Sequence, residues 1–165
     1  MLPARTPPVG DGLAALLRPS SVAIVGLSAD PSKHGSRVLG HLRRLGYGGE
    51  VWGVNPKGAG IEGVTTVRSI ADLPEPPDVV VCAIPAPGLP MVVREAVERG
   101  AGAAVVFSGG FAESGSAGRA AQEELAGIAR AGGMRLLGPS SGGVINPGAR
   151  VALSFLTCLD RPAEE

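Results

Sequence analysis

The sequence predicts an open, doubly wound α/β domain with a mostly parallel sheet. Three observations lead there. Strand-length apolar runs recur along the chain, they alternate with segments of helical period, and Gly, Pro, Ser and Asn gather where the runs end. Runs that are apolar throughout, rather than at alternate positions, belong to strands covered by helices on both faces. The 165 residues are enough for one domain with its own core.

Each element follows from a local signal. Residues 1–12 are rich in Pro and Gly and are expected to form a flexible leader. "GLAALLRP" reads as a short helix stopped by Pro19, and "SVAIVG" (21–26) as the first strand. In "SRVLGHLRRLGY" (36–47), Val38, Leu39, Leu42 and Leu45 recur at helical spacing. "GEVWGVNP" (49–56) is a strand ended by Pro56, and "GVTTVRSIADLP" holds a small strand and a turn. "DVVVCAIP" (78–85) is a third buried strand, and "LPMVVREAVERG" (89–100) a helix with Gly100 just past its end. "AAVVFS" (103–108), the Ala-rich helix 116–133 and "MRLLG" (134–138) complete the alternation. The rhythm is that of a Rossmann-type sheet, in which ligands bind outside the carboxyl ends of the strands.

Composition excludes several classes. Apolar residues make up 44% of the chain and aromatic ones 3%, so the core is built from Val, Ala, Leu and Ile. The formal net charge is zero and there are only one Trp, one Tyr and three Phe, so neither a basic footprint nor a stacking surface for nucleic acid is present. No apolar stretch approaches the roughly 20 residues that span a bilayer, and "MLPARTPPVGDG" lacks the apolar centre of a secretory leader. No membrane association and a cytoplasmic location are expected. Cys82 and Cys158 are then expected to be reduced, inert core thiols.

The carboxyl-end rule selects five loops: "GLSADPSKHG", "NPKG", "IPAPG", "SGGFAESG" and "GPSSGG". The first begins like the dinucleotide-binding G-x-G-x-x-G and departs from it. Gly26 is in place, Ser28 stands where the second glycine belongs, and the next glycine is Gly35. Gly26 permits a tight turn and close backbone approach, so Gly26→Val is expected to weaken a ligand without unfolding the domain. Ser28, Ser32 and Ser36 offer hydroxyl donors, Lys33 offers charge, and the amides opening the next helix favour an anion. The second loop differs more sharply. A nicotinamide-adenine dinucleotide domain places Asp or Glu here for the ribose 2′-hydroxyl; this chain has Asn55-Pro56-Lys57. A cation in that position suits a phosphorylated ribose, which both NADP and coenzyme A carry.

At these residues the chain resembles the CoA-binding domain of NDP-forming acyl-CoA synthetases, the family of ADP-forming acetate–CoA ligases and the alpha subunit of succinyl-CoA ligase. The pieces that carry the resemblance are "LLRPSSVAIVGLSADPSKHGSRVL", "VWGVNPKG", "SIADLPEPPDVVVCAIPA", "AAVVFSGGFAESG" and "RLLGPSSGGVINP", in the family's order. It implies a CoA-binding domain over residues 13–156 and a linker over 157–165 toward a following domain. It further implies coenzyme A as the ligand. Its phosphates would be held by Gly26, Ser28, Lys33, Gly35, Ser36 and Lys57, and its remaining length by the backbone at Ile84, Pro85, Ser108, Gly109 and Gly110. The family's phosphohistidine and ATP-grasp domains, on the same or a partner chain, would be the partners. The isolated domain is therefore expected to bind CoA or acyl-CoA without completing a ligase reaction. One departure stands out: the family usually has Gly-Pro-Asn after the fifth strand, where this chain has Gly138-Pro139-Ser140. Asn has both a donor and an acceptor at longer reach than Ser.

No catalytic triad or metal-ligand spacing is visible. His34 is expected to be a solvated loop residue, His41 a structural residue of the helix, and Glu113 a carboxylate at a helix start rather than an acid–base group. The competing functions are a CoA-binding regulatory module of a protein lysine acetyltransferase, a stand-alone CoA or acyl-CoA sensor, and an NADP-dependent oxidoreductase. The last is disfavoured by the missing second glycine.

Overall fold

The computed structural model describes residues 12–58 and 60–160. Most of the expected leader and the end of the expected linker lie outside the described residues. The chain forms α1 (Gly12–Leu17), β1 (Ser21–Val25), α2 (His34–Arg44), β2 (Glu50–Val54), β3 (Thr65–Val67), β4 (Val79–Cys82), α3 (Leu89–Glu98), β5 (Ala103–Val106), α4 (Ser116–Ala131), β6 (Arg135–Leu137), β7 (Gly143–Asn146) and β8 (Val151–Ser154).

Six strands make one sheet in the order β3-β2-β1-β4-β5-β6, and every pairing in it is parallel. The chain runs outward from β1 in one direction, then crosses to β4 and runs outward in the other. The strand order therefore reverses between β1 and β4, where open sheets of this kind leave a crevice.

Side chains of successive strand residues point to opposite faces, and the core divides accordingly. Ala23, Val25, Val80, Cys82, Ala104 and Val106 pack with Val93 and Ala96 of α3 and Leu125 of α4. Val22, Ile24, Val79, Val81, Ala103 and Val105 pack with Leu16 of α1, Val38 and Leu42 of α2, and Leu153 of β8. The central strands β1, β4 and β5 are buried along their whole length. That is why they read as unbroken apolar runs. Each fully buried Val or Ile contributes about 1.5–3 kcal/mol over its exposed state.

The segment following β6 holds an element that the sequence pattern beyond residue 138 does not announce. It forms an antiparallel hairpin, β7–β8. The turn runs through a 3-10 turn, Pro147–Ala149, and Arg150 in the left-handed region at φ 57°. The hairpin covers the face that α2 leaves open: β8 is fully buried, and Asn146 Nδ2 donates to the Leu17 carbonyl at 2.9 Å. The Asn-Pro-Gly cluster between two short apolar runs is a hairpin signal, masked here because β7 is only half-buried. Cys158 corrects a second expectation. It is exposed, whereas Cys82 is buried, and burial pushes the Cys82 thiol up to about 12. Only Cys82 is a core thiol.

Candidate functional site

The carboxyl edge of the sheet opens into a cleft of about 470 Å³ lined by Gly26, Ser28, Ser32, Lys33, His34 and Ala83. It lies at the ends of β1 and β4, at the reversal of strand order. A smaller recess of about 230 Å³ lies between α2 and the starts of β2 and β3, and none of the five carboxyl-end loops lines it.

Gly26 closes β1 with φ +86°, its amide donating to the Val54 carbonyl at 2.9 Å. A Cβ there would stand 2.5 Å from the Ala83 carbonyl oxygen and 2.9 Å from Ile84 Cγ2. The expectation for Gly26→Val is thereby corrected: the space is taken by the chain itself, so the glycine is demanded by the fold. Gly35 does what the third glycine of a dinucleotide fingerprint does. A Cβ on it would meet the Gly26 carbonyl oxygen at 3.1 Å and Ile24 Cγ2 at 3.2 Å, so its absence lets α2 lie close on β1.

The loop between them is shaped by its own hydroxyls. Ser36 Oγ donates to the Ser28 carbonyl at 2.6 Å. Ser32 Oγ and the Ser32 amide both donate to Asp30 Oδ1, at 2.7 and 2.9 Å, and these bonds hold the Asp30 carboxyl below its ordinary range. Ser28 Oγ accepts the Asp30 amide at 3.1 Å, and its own proton has no acceptor among the described residues. Of the three hydroxyls counted as donors in the sequence, two are engaged inside the loop. Lys33 is the N-cap residue of α2, and no side chain caps that helix. Its first-turn amides therefore remain for an anion or water.

Lys57 is exposed on the second loop, outside the cleft lining. The residue that fixes this loop is Asn55, a structural role not legible from its type alone. Its Nδ2 donates to the Leu27 carbonyl at 2.7 Å, and its Oδ1 accepts the Lys57 amide at 2.9 Å. The second loop is thus tied to the first, with Lys57 carried at the knot. An Asx turn before Pro was the available signal.

The remaining three loops are joined by hydrogen bonds. Ser108 Oγ donates to the Ile84 carbonyl, beside exposed Pro85. Gly109 and Gly110 are exposed, and Gly110 adopts φ +93°. Glu113 lies in a 3-10 turn, Ala112–Ser114. Its Oε1 accepts the Gly110 amide at 2.7 Å and Ser140 Oγ at 2.9 Å. Backbone amides and the Ser140 hydroxyl hold its carboxyl down at about 2. A carboxylate so held is an acceptor and not a proton carrier near neutral pH; it stands in the turn before α4 rather than at that helix's start, whose first turn has no acidic residue.

The two histidines part ways. His34 is the first residue of α2 rather than a loop residue, and its ring stacks on Phe155 at 4.1 Å between centroids. His41 is 2% exposed. Its Nδ1 pairs with the Ser154 carbonyl at 2.8 Å and its Nε2 with Asp160 Oδ1 at 2.9 Å. Among the described residues no three His, Cys, Asp or Glu side chains are grouped to hold a metal ion, and no helix is long and apolar enough to cross a membrane.

Comparison with known proteins agrees with this geometry. The chain is 40% identical over 141 residues to trans-feruloyl-CoA synthase FCS1 of an unknown prokaryotic organism, covering 86% of this chain and 20% of that protein. It is 35% identical over 147 residues to the alpha subunit of ADP-forming acetate–CoA ligase I of Pyrococcus furiosus, covering 87% and 32%. Among solved structures, the dinucleotide-forming acetyl-coenzyme A synthetase 1 of Ca. Korarchaeum cryptofilum superposes with TM-score 0.82 at 36% identity, covering 87% of this chain and 30% of that one. The chain thus spans between 20% and 32% of the length of these relatives. The family profile described as CoA binding domain matches residues 20–147. A reversed strand order at β1 and β4, a glycine turn without its second glycine, and a lysine where an acid would read a ribose hydroxyl are all borne by this stretch, and by it the chain belongs to the CoA binding domain family.

Proposed function

We propose that the chain binds coenzyme A, or an acyl-CoA, along the carboxyl edge of its sheet, as the N-terminal domain of an ADP-forming acyl-CoA synthetase. The observation that carries this reading is the charge arrangement at the strand-order reversal. The uncapped start of α2, the free proton of Ser28 Oγ and the Lys33 ammonium border one cleft, and Lys57 stands on the neighbouring loop. Together they suit a ligand with a diphosphate and a separate phosphate. Gly35 and Ser36 act from behind, by seating α2 and closing the loop. Ile84, Pro85, Ser108, Gly109 and Gly110 form the wall along the pantetheine arm. Coenzyme A is a substrate in this role. It would be passed to phosphohistidine and ATP-grasp domains on the same or a partner chain, in the cytoplasm.

Lys57 provides the test. Losing a charge-assisted contact to a phosphate costs about 1.5–3 kcal/mol, which is about 10- to 150-fold in affinity. Titration calorimetry should show Lys57→Ala binding coenzyme A that much more weakly. If Lys57 holds the ribose 3′-phosphate, wild type should prefer coenzyme A to dephospho-CoA and the variant should lose that preference. If it holds the diphosphate, both ligands weaken alike. Equal affinity of wild type and variant for coenzyme A at low salt would leave Lys57 a solvated charge and remove it from the site.

A further inference from the structure

The loops after β4, β5 and β6 are linked by one unbroken run of hydrogen bonds. Ser108 Oγ donates to the Ile84 carbonyl, the Ser140 amide donates to the Ser108 carbonyl at 2.9 Å, and Ser140 Oγ donates to Glu113 Oε1 at 2.9 Å. The same Oε1 takes the Gly110 amide at 2.7 Å. One member of this run sits in a backbone conformation that side chains disfavour, and another is a glycine that takes a positive φ freely. Ser140 has φ 54°, in the left-handed region where non-glycine residues are uncommon, and Gly110 has φ 93°. Glycines 109 and 110 have no side chains to anchor them, and the Glu113 carboxylate ties this exposed stretch down at the Gly110 amide.

We propose that Glu113 is a positioning residue for the pantetheine arm of the ligand. By clamping Gly110 and Ser140 to a single oxygen, it holds the loops after β5 and β6 as one wall and keeps the Gly109–Gly110 backbone turned toward the bound molecule. Glu113 itself does not touch the ligand. Its low affinity for protons keeps the clamp closed across the neutral range. The inference rests on coenzyme A being the ligand of this edge. It adds that the nucleotide end, served by the loops after β1 and β2, is indifferent to Glu113.

The experiment compares two probes by titration calorimetry on the whole chain: coenzyme A, and adenosine 3′,5′-bisphosphate, which lacks the phosphopantetheine arm. Glu113→Ala should bind coenzyme A about tenfold more weakly and the bisphosphate within about twofold of wild type. Glu113→Gln keeps an acceptor oxygen for Gly110 and Ser140 and should recover most of the loss, a rescue that a simple loss of charge at the surface would not give. Ser140→Ala breaks the same clamp from the other side and should show the same selective loss, so the inference stays open to test should Glu113→Ala melt early. Glu113→Ala binding coenzyme A like wild type, or weakening both probes alike, or Glu113→Gln being as poor as Glu113→Ala, would each overturn it. A wild-type protein that binds neither probe would overturn the proposed function itself, a result distinct from all of these.

Discussion

Gly26 carries two burdens in one residue. It turns the chain out of β1 with a positive φ, and it brings the end of β1 against the Ala83 carbonyl, leaving no room for a methyl group. Gly26→Ala would meet backbone strain of about 1–3 kcal/mol and overlap of about 1–3 kcal/mol. It should therefore lower the midpoint of denaturant unfolding with an unchanged slope; a midpoint equal to wild type would show that the turn relaxes freely. The sequence displayed this glycine and its place after an apolar run, but it could not display what stands opposite. Ala83 is distant in the chain and reaches Gly26 only because β4 pairs with β1. The same limit hid the inward turn of Ser32 and Ser36. A hydroxyl read from a sequence is a donor in search of an acceptor, and here the acceptors, Asp30 and the Ser28 carbonyl, lie within the same loop.

At the scale of elements, the sheet was legible and the hairpin was not. Strands β1, β4 and β5 are apolar on both faces, so their run and their role coincide. By contrast, β7 is half-buried and four residues long, and the pattern it leaves is too short to read. Yet the hairpin matters to the site, because β8 packs on α2, the helix whose start borders the cleft. His41 is the polar tie between them. The Ser154 carbonyl can only accept, which places a proton on Nδ1, and Asp160 on the other side holds Nε2, with Arg37 Nη1 on the same carboxylate at 2.8 Å. The His41 hydrogen bond, with Arg37 assisting, holds the Asp160 carboxyl below its usual range. His41→Ala would orphan a buried carbonyl, costing about 1–3 kcal/mol for that group alone. Thermal unfolding should move down accordingly, and hydrogen exchange in β8 should quicken before exchange in β1. Uniform quickening of both strands would mean that the tie serves the whole core rather than the hairpin.

At the scale of the molecule, the fold gathers the five carboxyl-end loops along one edge of the sheet. These loops carry glycines, hydroxyls and two lysines, with Asp30, His34 and Glu113 among them; glycine turns, helix starts and lysines are groups that suit a phosphate. Two side chains that could carry a phosphoryl or a proton are committed elsewhere. Both nitrogens of His41 face partners in a buried setting, and Glu113 is clamped as an acceptor; His34, whose ring stacks on Phe155, is exposed at the cleft. With a formal net charge of zero, net charge does not draw an anion to the edge, and in the proposed reading the attraction there comes from Lys33, Lys57 and the start of α2. A protein so arranged should take up coenzyme A and leave it unchanged. Incubated with acetate, ATP, magnesium and coenzyme A, the purified chain should yield no acetyl-CoA above the uncatalysed background, while calorimetry on the same sample reports binding. Turnover by this chain alone would place a reactive group within it, and the exposed imidazole of His34 at the cleft would be the first to replace, as His34→Ala.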